Sequence, residues 1–458
     1  MADSLRDRLP DRLRPRKRDG PRPVSRRRFL RGSAAASATA GAVAGAGCAQ
    51  EDDEETPTPE APGDDDTPTD DDGEDGDDGG EDERDVEHDD EGEDEEATVF
   101  VFNTGEMTVS LIDPATDDLV ETTHLGATAS FPANQYATTE REIETLWLNV
   151  EDGVRGYAPA SLDLDVEFET GSDSNWQEVT PDGRHLVVSA REPTHAQYRI
   201  DADPSSGSFG EVTGEIDRDE AGPCDVSIGP NGEYAYVPDL FADTLTVIDV
   251  EAFEVAAQVE VEPVLEGETE SAPYMGTAGW NGECLAIEQL EGGHGTQGIW
   301  DVSEPEEPEE LVRLTEDDGL GGGTITSEFD AEDETLYVFT PDTEDVTVID
   351  VDELAVVDRI DLGGSAYVGT WDPGREKLYV PVQSSDEVAV IRDRELIDRI
   401  GVGDAPYGAT ARHGRPDSDV VGRFVATLAG MGVDFGGAGT TYCIGDCRCA
   451  GGRCSVEE

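Results

Sequence analysis

From Ala97 onward the chain is built of short runs of apolar β-formers, some alternating with polar positions and some apolar throughout. Gly, Pro, Asn and Asp punctuate these runs roughly every 8–12 residues, and no stretch keeps a helical period, so the pattern predicts an all-β array. One run recurs almost letter for letter. TVIDV occupies Thr246–Val250 and again Thr347–Val351, and SLIDP at Ser110–Pro114 is a worn copy. Aligned on the aspartate, the series is Asp113, Asp201, Asp249, Asp301, Asp350 and, with one slip, Asp393. The spacings are 88, 48, 52, 49 and 43 residues. The first interval hides an extra copy, so the period is roughly 47, within the range of a four-stranded propeller blade.

Each copy carries the strands of one blade. Cys224–Val261 reads as a strand, a Pro-Asn-Gly turn, the strand YAYV, a loop, TLTVIDV, a short turn and VAAQVEV. Comparable turns recur as PDG at Pro181–Gly183, NG at Asn281–Gly282 and DPG at Asp372–Gly374, because a tight return needs positive φ that Gly, Asn and Asp tolerate. TVID is therefore the third strand of its blade. Its Val and Ile are expected between neighbouring blades and its Asp where the strand meets the outer turn. Strand sets fall near 97–126, 129–171, 173–217, 220–262, 271–315, 321–363 and 364–403. The first lacks an innermost strand, and a spare one, Asp404–Arg412, follows the last. The expected fold is an all-β, seven-bladed β-propeller over residues 97–415, closed by its C-terminal strand.

At these residues the chain resembles the YVTN family of seven-bladed propellers, found in surface-layer and lactonase-like proteins. The matching letters are YVPD (Tyr236–Asp239), YVFT (Tyr337–Thr340), YVPV (Tyr379–Val382) and FVFN (Phe100–Asn103), each followed by a VID-type strand. The resemblance covers roughly 315 residues and implies the fold. It does not choose an activity, since propellers host unrelated functions.

Charge changes the picture next. The 458 residues include 108 acidic and 31 basic ones. Residues 51–96 hold 28 acidic and one basic residue, and residues 1–50 hold 4 and 12, which leaves 76 and 18, a net charge of 18 − 76 = −58, for residues 97–458. Only two lysines occur, Lys17 and Lys377. Such self-repulsion is tolerable where the Debye length shrinks to about 3 Å, as in ~1 M salt, so the composition points to an extreme halophile. It also excludes nucleic acid as a partner.

The N-terminus reads as an address. SRRRFL at Ser25–Leu30 precedes a weakly apolar Ala/Gly/Ser run and then Cys48. The run is too short and too polar to span a bilayer. The stretch resembles a twin-arginine export signal, with Arg26 and Arg27 as the pair and Phe29 and Leu30 at its apolar positions. GAGC at Gly45–Cys48 resembles a lipobox, although Gly45 stands where that pattern has Leu, and this implies lipidation of Cys48. Residues 1–48 are thus read as the signal. Residues 49–96 are read as a disordered acidic stalk, with too little apolar surface to offset the entropy of ordering. The expected location is the outer face of the cell membrane, or the medium if Cys48 carries no lipid.

Candidate chemistry is sparse. His195 in REPTHAQY and His294 in EGGHGTQG fall in second-to-third connections, which share one face of a propeller, with Asp225 and Trp371 near inner strands. They are either a ligand or acid–base site or ordinary surface histidines. No nucleophile elbow, HExxH or phosphate loop occurs; GLGGGT at Gly319–Thr324 has no helix after it and reads as a blade linker. Residues 416–458 form an extension in which GRFVATLAGMG (Gly422–Gly432) suggests a short helix. Cys443, Cys447, Cys449 and Cys454 follow, four thiols that form two disulfides or bind zinc or copper. The spacing is not that of a zinc ribbon, so disulfides are preferred and no cofactor is predicted. Cys224 and Cys284 are read as buried small hydrophobes. The reading is a monomeric surface propeller that binds a protein or glycan. The alternatives are a lactonase-like or quinoprotein-dehydrogenase-like enzyme, or a metal or redox protein using the cysteine tail.

Overall fold

Every predicted strand set becomes one antiparallel sheet in the computed structural model, which describes residues 97–133, 144–172, 174–416 and 420–439. The proposed export signal, Cys48, the acidic stalk and the four C-terminal cysteines lie outside the described residues. Blade one sets Pro406–Arg412 at the axis, followed outward by Thr98–Asn103, Thr108–Asp113 and Asp118–His124. Blade two is Leu146–Val150, Gly153–Tyr157 and Leu164–Glu169. Blade three is Asn175–Val179, His185–Ala190, Ala196–Asp201 and Val212–Asp217. Blade four is Ser227–Ile228, Tyr234–Asp239, Thr244–Asp249 and Glu254–Glu260. Blade five is Pro273–Ala278, Cys284–Glu291, His294–Asp301 and Glu309–Leu314. Blade six is Ser327–Phe329, Thr335–Thr340, Asp345–Asp350 and Ala355–Asp361. Blade seven is Thr370–Trp371, Leu378–Val382, Glu387–Arg392 and Glu395–Gly401.

Burial follows the order of strands. Second and third strands are apolar and almost wholly buried, as in TVFVFN and LYVPV, while the outermost strands alternate with solvent, as in Glu254–Glu260. The apolar residues form seven clusters among the described residues, each filling the gap between two adjacent blades. Leu245 and Val247, from the first TVID strand, pack with Leu285 and Ile287 of the next blade, while Ile248 faces Val187 of the previous one. Strand periodicity of two explains the division: successive side chains point to opposite faces of the sheet, and both faces are covered.

The motif letters now have contacts. The terminal aspartate of the third strand caps the outer turn: Asp113, Asp249 and Asp350 each accept a backbone N–H, from Ala115 (2.8 Å), Ala252 (2.7 Å) and Glu353 (2.9 Å). The last letter of YVPD and FVFN meets the Thr or Ser of the following strand. Asn103 Nδ2 donates to Thr108 and Ser110 (both 2.9 Å), and Asp239 accepts from Thr244 (2.8 Å), Thr246 (2.6 Å) and buried Arg218 (2.8 Å).

The C-terminal strand closes the ring as expected. Thr410 lies opposite Phe100 and Ala409 opposite Val101, both antiparallel. Lys377 of blade seven reinforces the seal through Asp117 of blade one at 2.6 Å. Blade two departs from the expected four strands. Its inner edge, near 127–133, keeps Ala133 N–H to the Trp147 carbonyl (3.0 Å), but Phe131 N–H goes to the Asn149 side chain (3.0 Å). Pro132, with no N–H, interrupts the ladder there. The helix in the extension runs from Val420 to Ala429 rather than to residue 432, because Gly430 follows and Gly432 takes φ 81°. It packs on the outer strand of blade one, with Arg423 3.3 Å from Glu121. The chain then passes the end of blade one, where Ala438 N–H reaches the Gly126 carbonyl (2.9 Å), to blade two, where Glu151 N–H reaches the Gly439 carbonyl (3.3 Å). Among the described residues no helix is long and apolar enough to cross a membrane.

Candidate functional site

Each innermost strand starts on the face where the preceding blade hands over the chain, here called the linker face. At or just before those starts lie Phe131, Trp176, Cys224, Tyr274, Ile325, Val368 and Tyr407, one from each blade, and all belong to a single buried cluster. The ring and hydrogen-bond contacts within it run between neighbouring blades, so the cluster is an apolar disc set around the axis. Tyr367 stacks on Tyr407 (4.8 Å between ring centres), Phe131 meets Tyr407 edge-on (5.7 Å), and the Tyr274 hydroxyl donates to the Thr324 carbonyl. The Arg191 guanidinium covers the Trp176 ring at 5.2 Å.

Against the disc lies an axial cavity of about 60 Å³. Its polar wall consists of Gln177, Glu178, Asp225, Thr277, Ser327 and Glu328, with no lysine or arginine among the lining residues. Asp225 is half-buried by area and lines the cavity. Desolvation raises its carboxyl to about 7, against the opposing effect of backbone N–H bonds from Gly276 (3.0 Å) and Val226. Glu288, on the second strand of blade five, is fully buried. Its Oε1 accepts from the Ser327 hydroxyl (2.6 Å), and its Oε2 has no partner among the described residues. Burial and, in addition, the charge of Asp225 push it up to about 8. Two interacting carboxyls with raised affinity for protons can hold and pass a proton near neutrality.

The histidines are placed differently. His195 sits in the second-to-third connection of blade three, half-buried, its ring 6.2 Å from Phe241. His294 opens the third strand of blade five, exposed, with Nδ1 3.7 Å from Glu316. Both belong to the linker face, but blade four separates them and no interaction between them is found among the described residues. Trp371 is part of an inner strand and packs on Tyr337 (5.8 Å). Of the four side chains singled out in the sequence, only Asp225 reaches the cavity. Cys224 and Cys284 are buried thiols in no disulfide, in the disc and in the gap between blades five and six, and Cys224 Sγ accepts from Arg191 (3.4 Å). Glu288, Gln177 and Glu178 were missed. Their only signal was a polar letter inside an otherwise strand-like run, AIEQL and NWQEV. A second cavity, about 310 Å³, opens on the linker face between blade one and the extension, beside Glu106, Met107, His124, Asp434 and Phe435.

No protein-family model matches the chain, and no curated protein does. Solved structures do match. The periplasmic gluconolactonase of Pseudomonas aeruginosa is 18% identical, with a TM-score of 0.52 over 69% of this chain and 99% of that one. A functionally unknown protein from Desulfotomaculum acetoxidans is 15% identical (TM-score 0.54, 69% and 99%). A 6-phosphogluconolactonase, described as putative, from Bacteroides fragilis is 14% identical (0.53, 69% and 98%). These likenesses establish a seven-bladed propeller with lactonase-like structural neighbours. At such identities they establish the fold alone.

Proposed function

We propose that the chain is an exported propeller of a halophile, of YVTN type, held at the outer face of the cell membrane by lipid on Cys48. In this reading residues 49–96 are a spacer and the ring is a monomeric scaffold that binds a protein or glycan. The narrow axis carries the proposal. A void of about 60 Å³ behind an apolar disc is well below the roughly 300–1,000 Å³ of pockets that hold organic ligands, so recognition falls to the loops of the linker face. Phe241, 46% exposed beside His195, and the groove next to His124 are the features there that a partner surface can engage. The test places a photo-crosslinking residue at Phe241 in one strain and at Val357, on the rim, in another. A discrete adduct in the intact envelope from the first alone is expected. Adducts from Val357 only would sink the face assignment. Cys48→Ser is expected to move the protein from the membrane fraction to the medium.

The Asp225–Glu288 pair favours a second reading, a lactonase-like hydrolase in which the cavity admits only water, Asp225 activates it against a substrate held at the channel mouth, and Glu288 behind takes up the proton. If purified protein opens an aldonolactone, Asp225→Asn and Glu288→Gln should each lower kcat by about 10²-fold or more. Turnover unaffected by both rejects this site. Zinc or copper at Cys443, Cys447, Cys449 and Cys454 is tested separately by metal analysis with thiol counting.

A further inference from the structure

The axial cavity is short of positive charge. Glu178, Asp225 and Glu328 line it and Glu288 backs it through Ser327, while none of its lining residues is basic. Arg412, whose charge acts on Glu178, is fully engaged elsewhere, donating to Thr410 Oγ1 (2.7 Å) and to the carbonyls of Ala411 (2.7 Å) and Ala133 (2.6 Å). Carboxylates alone do not define a site, but one further atom points to an occupant. Gln177 is 4% exposed and gives its Nε2 to the Phe131 carbonyl (2.9 Å), leaving Oε1 at the cavity without a partner among the described residues. Glu288, 0% exposed, stands behind the lining residue Ser327 and adds negative charge there. A buried acceptor left unmatched is costly, and the Gln177 oxygen beside a void is more readily explained by something that fills it.

We propose that the axial cavity is a binding site for a hard, oxygen-seeking cation, held by the carboxylate of Asp225 and the amide oxygen of Gln177, with the charge of Glu288 behind them and water completing its shell. Apart from the thioether of Met275, the donors that line the cavity are oxygens, which suits calcium or magnesium better than the soft metals that thiolates select. No three carboxylates, histidines or cysteines among the described residues converge on a single point, so protein oxygens fill only part of the coordination sphere. The volume agrees, since about 60 Å³ accommodates an ion and one or two waters at the ~30 Å³ each occupies in the liquid. Trp176 Nε1, a cavity-lining donor also without a partner, has a water oxygen as its natural acceptor. Asp225 joins blade four to blade five through Gly276 N–H, and Glu288 joins blade five to blade six through Ser327. An ion there ties three blades together at the axis.

The test uses the full chain, stripped of metal by chelation and held in constant molar NaCl at mildly alkaline pH. Calcium is expected to raise the melting temperature by about 3–5 °C. The Asp225→Asn/Glu288→Gln double variant should melt cooperatively and lose that increment, and Gln177→Met should reduce it. Acidic surface groups are common to all variants, so an equal rise in parent and double variant assigns the effect to the surface and overturns the proposal. If the double variant fails to fold, terbium luminescence decides: excitation through tryptophan should sensitise ion emission in the parent and lose it in Trp176→Phe. Equal emission in both, or no ion retained by the parent after desalting, means that the cavity holds only water.

Discussion

Asp333 ends the inner hairpin of blade six in the left-handed region, at φ 56°, and accepts the backbone N–H groups of Trp280 (2.9 Å) and Asn281 (2.7 Å) from blade five. Burial raises its carboxyl to about 6. The two N–H bonds and Arg375, which also stacks on Trp280 (3.7 Å), oppose the shift, and the charge of Asp330 adds to it. The folded state therefore binds this proton more tightly than the unfolded chain, where the group titrates near ~3.9. Its contribution to stability is full below about pH 4, falls as pH rises to about 6, and is constant above that. Asp333→Asn should flatten this part of the profile when melting is followed against pH at fixed high salt. An unchanged slope would assign it to other carboxyls. At this scale the sequence was legible where a side chain acts locally, as with Asp249 and its turn. It was silent where the partner is a blade away. Nothing near Glu288 in the chain announces Ser327, and nothing in NWQEV tells which letter meets the axis.

Among the elements, the closing strand Pro406–Arg412 depends on one residue with no side chain. A Cβ on Gly408 would lie 2.4 Å from the Ala129 carbonyl oxygen and 2.7 Å from Pro132 Cδ. Gly408→Ala should cost about 1–3 kcal/mol, because backbone and ring atoms cannot step aside as a flexible side chain would. Urea unfolding in molar salt measures it, and a midpoint equal to the parent's would show that blade two's inner edge yields. That edge is also where the strand reading failed. The pattern gives residues 129–133 an apolar cast, yet Pro132 cannot donate and Asn149 supplies a side-chain acceptor instead. The hairpin turns were easier to read. Gly183, Gly232 and Gly282 take φ near 70° as expected, whereas in DPG the left-handed position moved one residue on, to Arg375.

For the whole molecule, charge and burial act on different parts. Lys377, the only lysine after Lys17, is not at the surface; it is buried, bonded to Asp117 and the Pro114 carbonyl. The outer strands and turns carry the acids, and the seven apolar gaps between blades are uncharged contacts that added salt strengthens. Stability should therefore rise steeply between ~0.1 M and ~1 M NaCl, where screening removes most of the repulsion, and more gently beyond. A melting temperature insensitive to salt over that range would contradict the halophile reading. The ring's seal has a consequence in time. The residue that meets Phe100 is Thr410, about 310 residues further along the chain, so the opening strands must wait for all the intervening blades before their exposed edge finds its mate. A ring built this way has no sealed form until its seventh blade exists.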